Sequence, residues 1–502
     1  MSTKKIFALL LAVMLLCTCV LTGCQDDSPE ALAKKATKTV AVTVNGHKVN
    51  AVQLNYFYME MVNSFVNEYS YYIYYMLDVN LPLNEQVFDE ETGTTWADRF
   101  LEMATTNLKG TYILYDAALK AGMTLTEAQE AEVQAVADSL AYYAEKDEFD
   151  SVDAYLVDLF GYGASLESYC EYYRVNLLAD SYYAAHYESL DFSDEDLAAY
   201  DAQNANTFNS YSYAYYTVYA SKYLRGGTES ASGSVEYTEE QKALAVVDAE
   251  IDAKALAEGK YADAAAFNEA IAAMKVNASL SSVSCTEKTG QQYSEISSSF
   301  REWISDSNRV SGDTTVIAKT LTGENNETII DGYYVVVYFG HNDNRFALKN
   351  VRHLLIAPEA DTDEAKAKAK AEAEALLAQW ESGEKTEQSF AELANQESDD
   401  QNGNVTNGGL YENIFPGQMV EEFEAWCYAD DRKAGDYGIV ETQHGYHIMY
   451  FVGDSDVNYR DYMILTVLRS EAISKWYNEQ LESTELKIKN TDFVNMDMIL
   501  NG

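Results

Sequence analysis

Histidines are the residues of this chain with the clearest capacity for acid–base or ligand chemistry. His353 lies in the segment 351–356, where polar and apolar residues alternate as they do in a half-buried strand. His447 lies in a second alternating segment, also with apolar companions on its face. His444 and His447 are three residues apart near a strand start and point to opposite faces, so a zinc-binding pair is not expected. Taken alone, each imidazole is more often a hydrogen-bonded core residue than a reactive group.

Cysteine chemistry is sparse after residue 24. Cys170, Cys285 and Cys427 are odd in number, far apart, and lack the spacing of metal ligands. Buried free thiols are the default interpretation. We therefore predict no disulfide framework, no metal site and no cofactor.

The strands that carry His353 and His447 belong to one copy of an internal repeat. Phe300, Trp303 and Arg309 recur 123 residues later as Phe423, Trp426 and Arg432, and Gly312-Asp313 recurs as Gly435-Asp436. Each copy then reaches a glycine followed by a strand, at Gly332 and Gly445, where the offset falls to 113 because the first copy has ten extra residues in the preceding loop. Each copy also begins with a strand and an Ala/Glu/Lys-rich helix. This predicts two copies of one α/β domain, at residues 209–343 and 347–455.

A mostly helical module precedes the repeat, at residues 39–205. It opens with a strand over 39–44, an Asn45-Gly46 hairpin turn and a returning strand. Apolar residues then recur with helical period from about Val52, and further helices are predicted over 96–121, 126–145, 152–160 and 166–187. After the repeat, residues 456–502 contain an amphipathic helix and a short alternating strand, which we expect to pack back onto the N-terminal module.

The N-terminus has the pattern of an export signal. Lys4 and Lys5 precede a nearly unbroken apolar run over 6–21, too short for a comfortable membrane span. The run ends in Leu21-Thr22-Gly23-Cys24, which resembles the bacterial lipobox; that resemblance implies cleavage before Cys24 and attachment of lipid to its sulfur. An uncleaved anchor helix or a plain signal peptide is the alternative. Residues 1–23 are thus predicted to be a lipoprotein signal peptide, and residues 24–38, which are polar, a flexible tether.

Charge restricts the partners. The chain has 35 basic and 81 acidic residues, a net charge of −46. That balance disfavours nucleic acid and anionic bilayers as direct partners. The 40 tyrosines offer large amphipathic contact area, suited to packing or to binding apolar polypeptides.

Residues 351–453 resemble the parvulin-type peptidyl-prolyl isomerases from end to end. The matching residues begin with Val351-Arg352-His353-Leu354-Leu355, and they continue with Phe390-Ala391-Glu392-Leu393-Ala394, Ser398-Asp399-Asp400, Gly408-Gly409-Leu410, Pro416-Gly417-Gln418-Met419-Val420, Phe423, Thr442 and Gly445-Tyr446-His447-Ile448. The N-terminal module looks, more weakly, like the chaperone part of PrsA- and SurA-type foldases.

This resemblance implies a role for each matching residue. His353 and His447 match the paired core histidines of the family, Asp400 its Cys/Asp position, and Thr442 a hydroxyl of the histidine network. The apolar pocket that grips the prolyl ring is matched by Leu410, Met419 and Phe423.

The first copy lacks both histidines. Our alignment puts Tyr216 in the place of His353 and Tyr334 in that of His447, so we expect this copy to be catalytically silent, binding clients or serving as structure. The second copy has no Lys/Arg cluster for phosphate beside its site, and Arg352 is the only nearby base. Preference for phosphorylated Ser–Pro substrates is therefore not expected.

The expected fold class is α+β: a helical, chaperone-like N-terminal module completed by the C-terminal tail, and two parvulin-like α/β domains with small antiparallel sheets. The expected function is that of a lipid-anchored foldase on the extracytoplasmic face of the cell membrane. It would isomerise X–Pro bonds of unfolded secreted polypeptides and assist their folding. Two alternatives stay open: a chaperone whose isomerase site is vestigial, and a solute-binding lipoprotein, for which the repeat would form two lobes. Whether the chain forms a homodimer is also open.

Overall fold

The computed structural model describes residues 28–229, 233–277, 283–323, 325–400 and 407–500. The chain divides into two compact units. The first contains residues up to 191 together with those from 469 onward, and the second contains residues 192–468. The predicted signal peptide and Cys24 lie outside the described residues.

The first unit is built around a small three-stranded sheet. Strands β1 (Val40–Val44) and β2 (His47–Asn50) form the predicted hairpin. Asn45 and Gly46 both have positive φ, 46° and 88°, as a two-residue turn between twisted strands requires. The last strand of the chain, Leu486–Ile488, pairs antiparallel with β1 on its other side.

Helices make up the rest of the first unit. Asn50, Thr95, Thr126 and Ser165 each begin a helix with a reciprocal capping box, which satisfies backbone N–H groups that would otherwise lack partners. The helices, in chain order, are α1 (Pro29–Lys38), α2 (Ala51–Glu68), α3 (Ile73–Met76), α4 (Trp96–Lys120), α5 (Glu127–Lys146), α6 (Val152–Phe160) and α7 (Leu166–Ser189). A short hairpin of β3 (Val87–Asp89) and β4 (Thr94–Thr95), which the sequence did not predict, precedes α4.

The prediction of a flexible tether over residues 24–38 is wrong for its described part. Ser28 caps a helix with proline in its first turn, and this helix α1 runs to Lys38. Ala36 is fully buried in a core cluster with Val52 and Tyr56 of α2. A polar composition hid this contact because one small residue on one helix face is enough to dock the helix.

The second unit begins with α8 (Asp194–Asn204) and contains two four-stranded antiparallel sheets. The first sheet has the order β8-β5-β10-β9, and the second has the order β12-β11-β14-β13. The first sheet consists of β5 (Ser210–Tyr219), β8 (Thr286–Gln292), β9 (Thr314–Thr322) and β10 (Thr328–Asn342). The second consists of β11 (Ala347–Ile356), β12 (Leu410–Ile414), β13 (Tyr437–Thr442) and β14 (Gly445–Asn458).

Helices pack on both faces of each sheet. The first sheet is covered by α9 (Glu239–Ala257), α10 (Ala264–Ala273) and α11 (Arg301–Ile304), and a small hairpin, β6 (Thr228–Glu229) with β7 (Val235–Glu236), precedes α9. The second sheet is covered by α12 (Asp363–Ser382), α13 (Glu387–Glu397) and α14 (Glu421–Cys427). Helix α15 (Tyr459–Ser483) then leads back to the first unit, where β15 (Leu486–Ile488) pairs with β1.

The two sheets share one topology and several local contacts at the offset read from the sequence. The guanidinium of Arg309 lies 4.7 Å from the ring centre of Trp303, and that of Arg432 lies 3.7 Å from the ring centre of Trp426. Gly312 N–H donates to Tyr338 C=O, and Gly435 N–H donates to Phe451 C=O, each at 2.8 Å. The repeat is thus a repeat of structure, since the same residues make the same contacts twice.

The ten extra residues of the first copy are not a loop. They lengthen the β9–β10 hairpin, whose ladder continues from Gly332 out to the pair Thr322–Thr328. Leu321, Ile329 and Ile330 are exposed on this extension.

A buried arginine joins the two halves of the second unit. Arg460, 3% exposed, donates to Asp201 and to the side chain of Asn209, and its remaining bonds go to the carbonyls of Ala205 and Asp343. The carboxylate and these oxygens together satisfy the guanidinium, as a buried charge requires.

Across the described ranges, no helix is long and apolar enough to cross a membrane, and no cluster of His, Cys, Asp and Glu could hold a metal ion. Cys170 and Cys427 are buried free thiols, and Cys285 is a half-buried one.

Candidate functional site

The two predicted histidines meet on one face of the second sheet. His353 lies on β11 and His447 on the adjacent central strand β14. His353 is directly opposite Met449, and His447 opposite Leu355, so the two imidazoles are diagonal neighbours. Both side chains are buried.

A chain of short contacts links the imidazoles to Thr442. The hydroxyl oxygen of Thr442, at the end of β13, lies 2.9 Å from His447 Nε2. The Nδ1 atoms of His447 and His353 are 3.3 Å apart. On the far side, His353 Nε2 lies 3.3 Å from Asp400 Oδ2. The residues predicted to form the histidine network therefore converge in the structure.

The hydroxyl of Thr442 has two partners. It accepts the backbone N–H of His444 at 3.1 Å, and its own proton is free to be donated to His447 Nε2. In the tautomer that accepts this proton, His447 carries its own proton on Nδ1, facing His353 Nδ1.

His353 and Asp400 are close, but the angle between them is poor for a hydrogen bond. His353 Nε2 makes no hydrogen bond of good geometry with any described residue, although the Asp400 oxygen is at ion-pair distance. At 3.3 Å, a small rotation of either side chain aligns the bond. The Asp400 oxygen also accepts the hydroxyl of Tyr411 at 2.7 Å.

Aromatic rings form the wall beside the imidazoles. Phe423, fully buried on α14, meets His353 and His447 edge to face, with ring centres 5.2 and 5.5 Å apart. Met419 is half-buried and packs against the same cluster, which includes Val351, Phe423 and Met449. Two of the three predicted pocket residues therefore lie on the histidine face.

The prediction for Leu410 is wrong. Leu410 pairs with Arg352, and Tyr411 pairs with Val351, which lies on the histidine face. Since residues directly opposite in antiparallel strands share a face, Leu410 points away from the site and Tyr411 points into it. The Tyr411 ring centre lies 4.8 Å from that of His353. A one-residue shift of register exchanges the two faces, and the motif alone did not determine this register.

Two glycines let the backbone close around the histidine strand. A Cβ on Gly409 would lie 2.0 Å from the carbonyl oxygen of His353, and a Cβ on Gly445 would lie 2.3 Å from that of Ile356. Both have positive φ, 65° and 136°. A larger residue at Gly409 would push the segment that enters β12 away from β11, and a larger residue at Gly445 would push apart the strands that carry His353 and His447.

Burial keeps His447 uncharged. Desolvation, with the neighbouring His353 and His444, lowers the pKa of His447 to about 4, and Asp400 opposes this only in part. Burial also raises the pKa of the nearby Cys427 thiol to about 12. At neutral pH the site thus offers a neutral imidazole at His447 and no thiolate nucleophile.

The first repeat has an all-aromatic counterpart of this site. Val336, the repeat equivalent of Met449, is opposite Tyr215, so Tyr215 and not Tyr216 occupies the place of His353. The rings of Tyr215, Tyr334 and Phe300 lie 5.3 to 6.0 Å apart, as His353, His447 and Phe423 do in the second repeat. Tyr216 lies on the other face, bonded to Asn277.

The fold and the site define a parvulin-type domain, and comparison with known proteins agrees. Residues 353–453 match the family model of the rotamase, or PPIC-type PPIase, domain. The chain thus contains a PPIC-type peptidyl-prolyl isomerase domain, as its resemblance to the parvulins predicted.

The chain is also similar to PrsA foldases over part of its length. It is 32% identical over 150 residues to Foldase protein PrsA 1 of Listeria innocua and 31% identical to that of Listeria monocytogenes. Each match covers 28% of this chain and 46% of the relative, so less than half of each relative is matched. Bacillus anthracis PrsA has 25% identity and a TM-score of 0.19, covering 28% of this chain and 59% of that one. Bacillus subtilis PrsA has 22% identity and a TM-score of 0.21, and the match covers 30% of this chain and 55% of that one.

Proposed function

We propose that the chain is an extracytoplasmic foldase that isomerises X–Pro peptide bonds of unfolded secreted polypeptides at the site around His353 and His447, and assists the folding of these polypeptides. The observation that carries this proposal is the buried pair of imidazoles, linked to Thr442 and walled by Phe423, inside a domain that matches the isomerase family.

The chemistry of such a site is non-covalent. Rotation about an X–Pro bond meets a barrier of about 20 kcal/mol because the amide is resonance-stabilised. The rotating amide loses this resonance and part of its dipole, so an apolar, desolvated site favours it over either planar form. A ten-thousandfold acceleration requires about 5.5 kcal/mol of such preference.

Each residue then has a defined task. Phe423 and Met419 supply apolar surface for the prolyl ring. The contacts that run from Thr442 through both histidines toward Asp400 hold the imidazoles in one orientation, and burial keeps His447 neutral. Tyr411, which replaces Leu410 in this role, supports Asp400 and borders the pocket.

The proposed substrates are unphosphorylated. Arg352 is turned to the opposite face, where it bonds to Glu387 and to the carbonyls of Asn407 and Gly408. A phosphate bound beside the imidazoles would have no cation to pair with among these residues.

The first repeat is proposed to be silent as an isomerase. Its rings of Tyr215, Tyr334 and Phe300 leave no imidazole at the equivalent position. We further propose that the chain is held to the outer face of the cell membrane by lipid on Cys24, at the end of its predicted signal peptide.

The test is a tetrapeptide Ala-Leu-Pro-Phe isomerisation assay of the full chain and its variants. We expect His447→Ala to lower kcat/KM by at least ~10-fold, or about 1.4 kcal/mol of transition-state stabilisation. Phe423→Leu, which keeps most of the buried volume, should reduce it for loss of the aromatic wall without unfolding the domain.

The repeat supplies matched controls. Tyr334→Ala and Phe300→Leu change the equivalent positions of the first copy and should leave kcat/KM unchanged. If the native chain shows no isomerisation, or if His447→Ala is as active as the native chain, the enzymatic proposal fails. A chaperone with a vestigial site would then remain, testable by suppression of aggregation of an unfolded protein.

A further inference from the structure

Four tyrosines of the first unit, close together in the sequence, are exposed on the surface. Tyr71, Tyr72, Tyr74 and Tyr75, here called the tyrosine patch, are between 60% and 86% exposed. Tyrosine normally buries most of its ring, so four exposed rings within five residues are unusual for a surface without a partner.

The tyrosine patch is held in place and is not a loose loop. Ile73 lies between the exposed rings, and Leu77 and Val79 follow them in the sequence. All three are buried in the core of the first unit. Asp78 and Asn80 close the following turn through a side-chain-to-backbone bond of 3.0 Å. The rings therefore project from an anchored segment. Because the backbone of this segment is already ordered, little conformational entropy is lost when a partner binds.

Apolar surface continues around the patch. Met76, Leu81, Val87 and Phe88 are exposed as well. A pocket of about 380 Å³ opens beside it, lined by residues 74–80. This is room for one or two side chains of an extended partner.

Acidic residues predominate in the segment that carries the patch. The guanidinium of Arg99 lies 5.6 Å from the ring centre of Phe88 and pairs with Glu102. Between Lys48 and Arg99 the sequence has eight acidic residues and no lysine or arginine. Glu68, Asp78 and Glu85 border the patch and are exposed. Hydrogen bonds from the backbone and side chain of Asn80 lower the pKa of Asp78, so it stays ionised.

We propose that the tyrosine patch binds extended polypeptide segments in which lysine or arginine alternates with apolar residues. Exposed tyrosine faces attract cations, the bordering carboxylates attract them over a longer range, and the apolar neighbours accept the remaining side chains. The chain's net charge of −46 disfavours a second copy and an anionic bilayer at this surface, since both would bring negative charge against negative charge. The inference deepens the proposed foldase function, on which it rests for the presence of unfolded clients.

Fluorescence anisotropy with the full chain tests this. The probe is a peptide of ~15 residues, about 50 Å when extended, that alternates lysine with leucine and phenylalanine and contains no proline. A second peptide has glutamate in place of each lysine. We expect the lysine peptide to bind and the glutamate peptide not to. Binding should weaken as salt rises from ~50 to ~500 mM, where screening shortens the reach of the carboxylates.

Two variants locate the binding. Changing all four rings, Tyr71→Ser, Tyr72→Ser, Tyr74→Ser and Tyr75→Ser, should weaken the lysine peptide at least ~10-fold, the combined loss of several exposed cation–π contacts. Glu68→Lys with Glu85→Lys should weaken binding of the lysine peptide too, and should allow the glutamate peptide to bind. The control is Tyr142→Ser with Tyr183→Ser, two exposed tyrosines on α5 and α7, which should bind like the native chain.

Several results overturn the inference. One is equal affinity for the two peptides, and another is native affinity in the four-tyrosine variant. A third is binding of the native chain to vesicles containing phosphatidylglycerol, or to a second copy of the chain, if the four-tyrosine variant abolishes that binding. Because the peptide lacks proline, isomerisation is scored separately: the four-tyrosine variant should retain native tetrapeptide kcat/KM. Peptide binding without isomerisation would reject the proposed isomerase activity and leave the proposal for the tyrosine patch intact. Isomerisation without peptide binding would reject the proposal for the tyrosine patch and leave the isomerase activity intact.

Discussion

At the scale of residues, the site is defined by which atoms are kept neutral. His447 is surrounded by Phe423, His353 and Thr442, and of these only the threonine hydroxyl and the other imidazole offer a hydrogen bond. Protonation of His447 would place a positive charge in a desolvated position beside a second imidazole. Neutrality is thus a property of the packing, and it suits a reaction in which the rotating amide is less polar than the planar one.

This has a consequence for stability against pH. The pKa of His447 is about 4 in the folded chain and 6.5 for an ordinary histidine, so between these values the unfolded chain binds a proton that the folded chain does not. The stabilisation is fully present above pH 6.5 and falls as the pH drops toward 4, by up to about 3 kcal/mol. Urea denaturation of the native chain and of His447→Gln, at pH 7.5 and at pH 4.5, measures it; we expect the variant to lose less stability between these pH values.

Gln443→Ala provides the comparison, because Gln443 lies in the same turn, is exposed and carries no titratable group. Its loss of stability with acid should match that of the native chain. Equal acid sensitivity of His447→Gln and the native chain would contradict the depressed pKa.

At the scale of elements, strand register decides which side chains meet. The ladders place His353 and His447 on one face, exchange Leu410 for Tyr411, and exchange Tyr216 for Tyr215 in the first repeat. The same architecture thus positions two imidazoles in one repeat and two phenol rings in the other. Each pair packs against a phenylalanine, Phe423 of α14 or Phe300 at the start of α11.

The C-terminal tail is an element of the first unit. β15 completes the sheet with β1, and Val494, Met498 and Leu500 are buried in the core that β1 and α2 share. We expect Met498→Ala to destabilise the first unit by about 2–5 kcal/mol, the cost of a cavity in a packed core. Differential scanning calorimetry of the full chain checks this.

Ile488→Ala is the matched change in the same tail, since Ile488 is half exposed on the edge strand. Its effect should stay below about 1 kcal/mol, because a surface substitution that keeps the backbone ladder removes little buried area. If Met498→Ala were equally harmless, the tail would not be part of the core.

At the scale of the whole molecule, charge and attachment determine where the chain can work. A net charge of −46 disfavours direct adsorption to anionic surfaces, so the proposed membrane location rests on the proposed lipid anchor. Tethering at the proposed lipid site Cys24 would hold a foldase where exported chains emerge.

Cys24→Ala tests this attachment. We expect the variant to be released from the membrane fraction while the purified protein keeps native tetrapeptide kcat/KM, since residues 347–455 contain the proposed site. Cell fractionation with immunoblotting gives the location. Persistent membrane association of the variant would refute the lipobox assignment. Cys170→Ala, at a buried cysteine, should stay in the membrane fraction like the native chain.

Much of this protein could be predicted from sequence because the signals were local or rigidly spaced. Capping residues and apolar periodicity predicted the long helices, Asn45-Gly46 predicted the first hairpin, and the offset of 123 residues predicted the repeated sheet contacts. The family motif predicted the four polar residues that the structure brings together, His353, Asp400, Thr442 and His447.

Other features required the tertiary structure. Helix α1 is held by the burial of Ala36, the first repeat's extra residues form a hairpin extension, and Tyr411 enters the site through a strand pairing that no short motif encodes. Sequence determines the period of a strand, and so which residues alternate. Only the partner strand determines which of the two alternating sets faces the core, because a shift of one residue in register leaves the period unchanged and reverses every side chain.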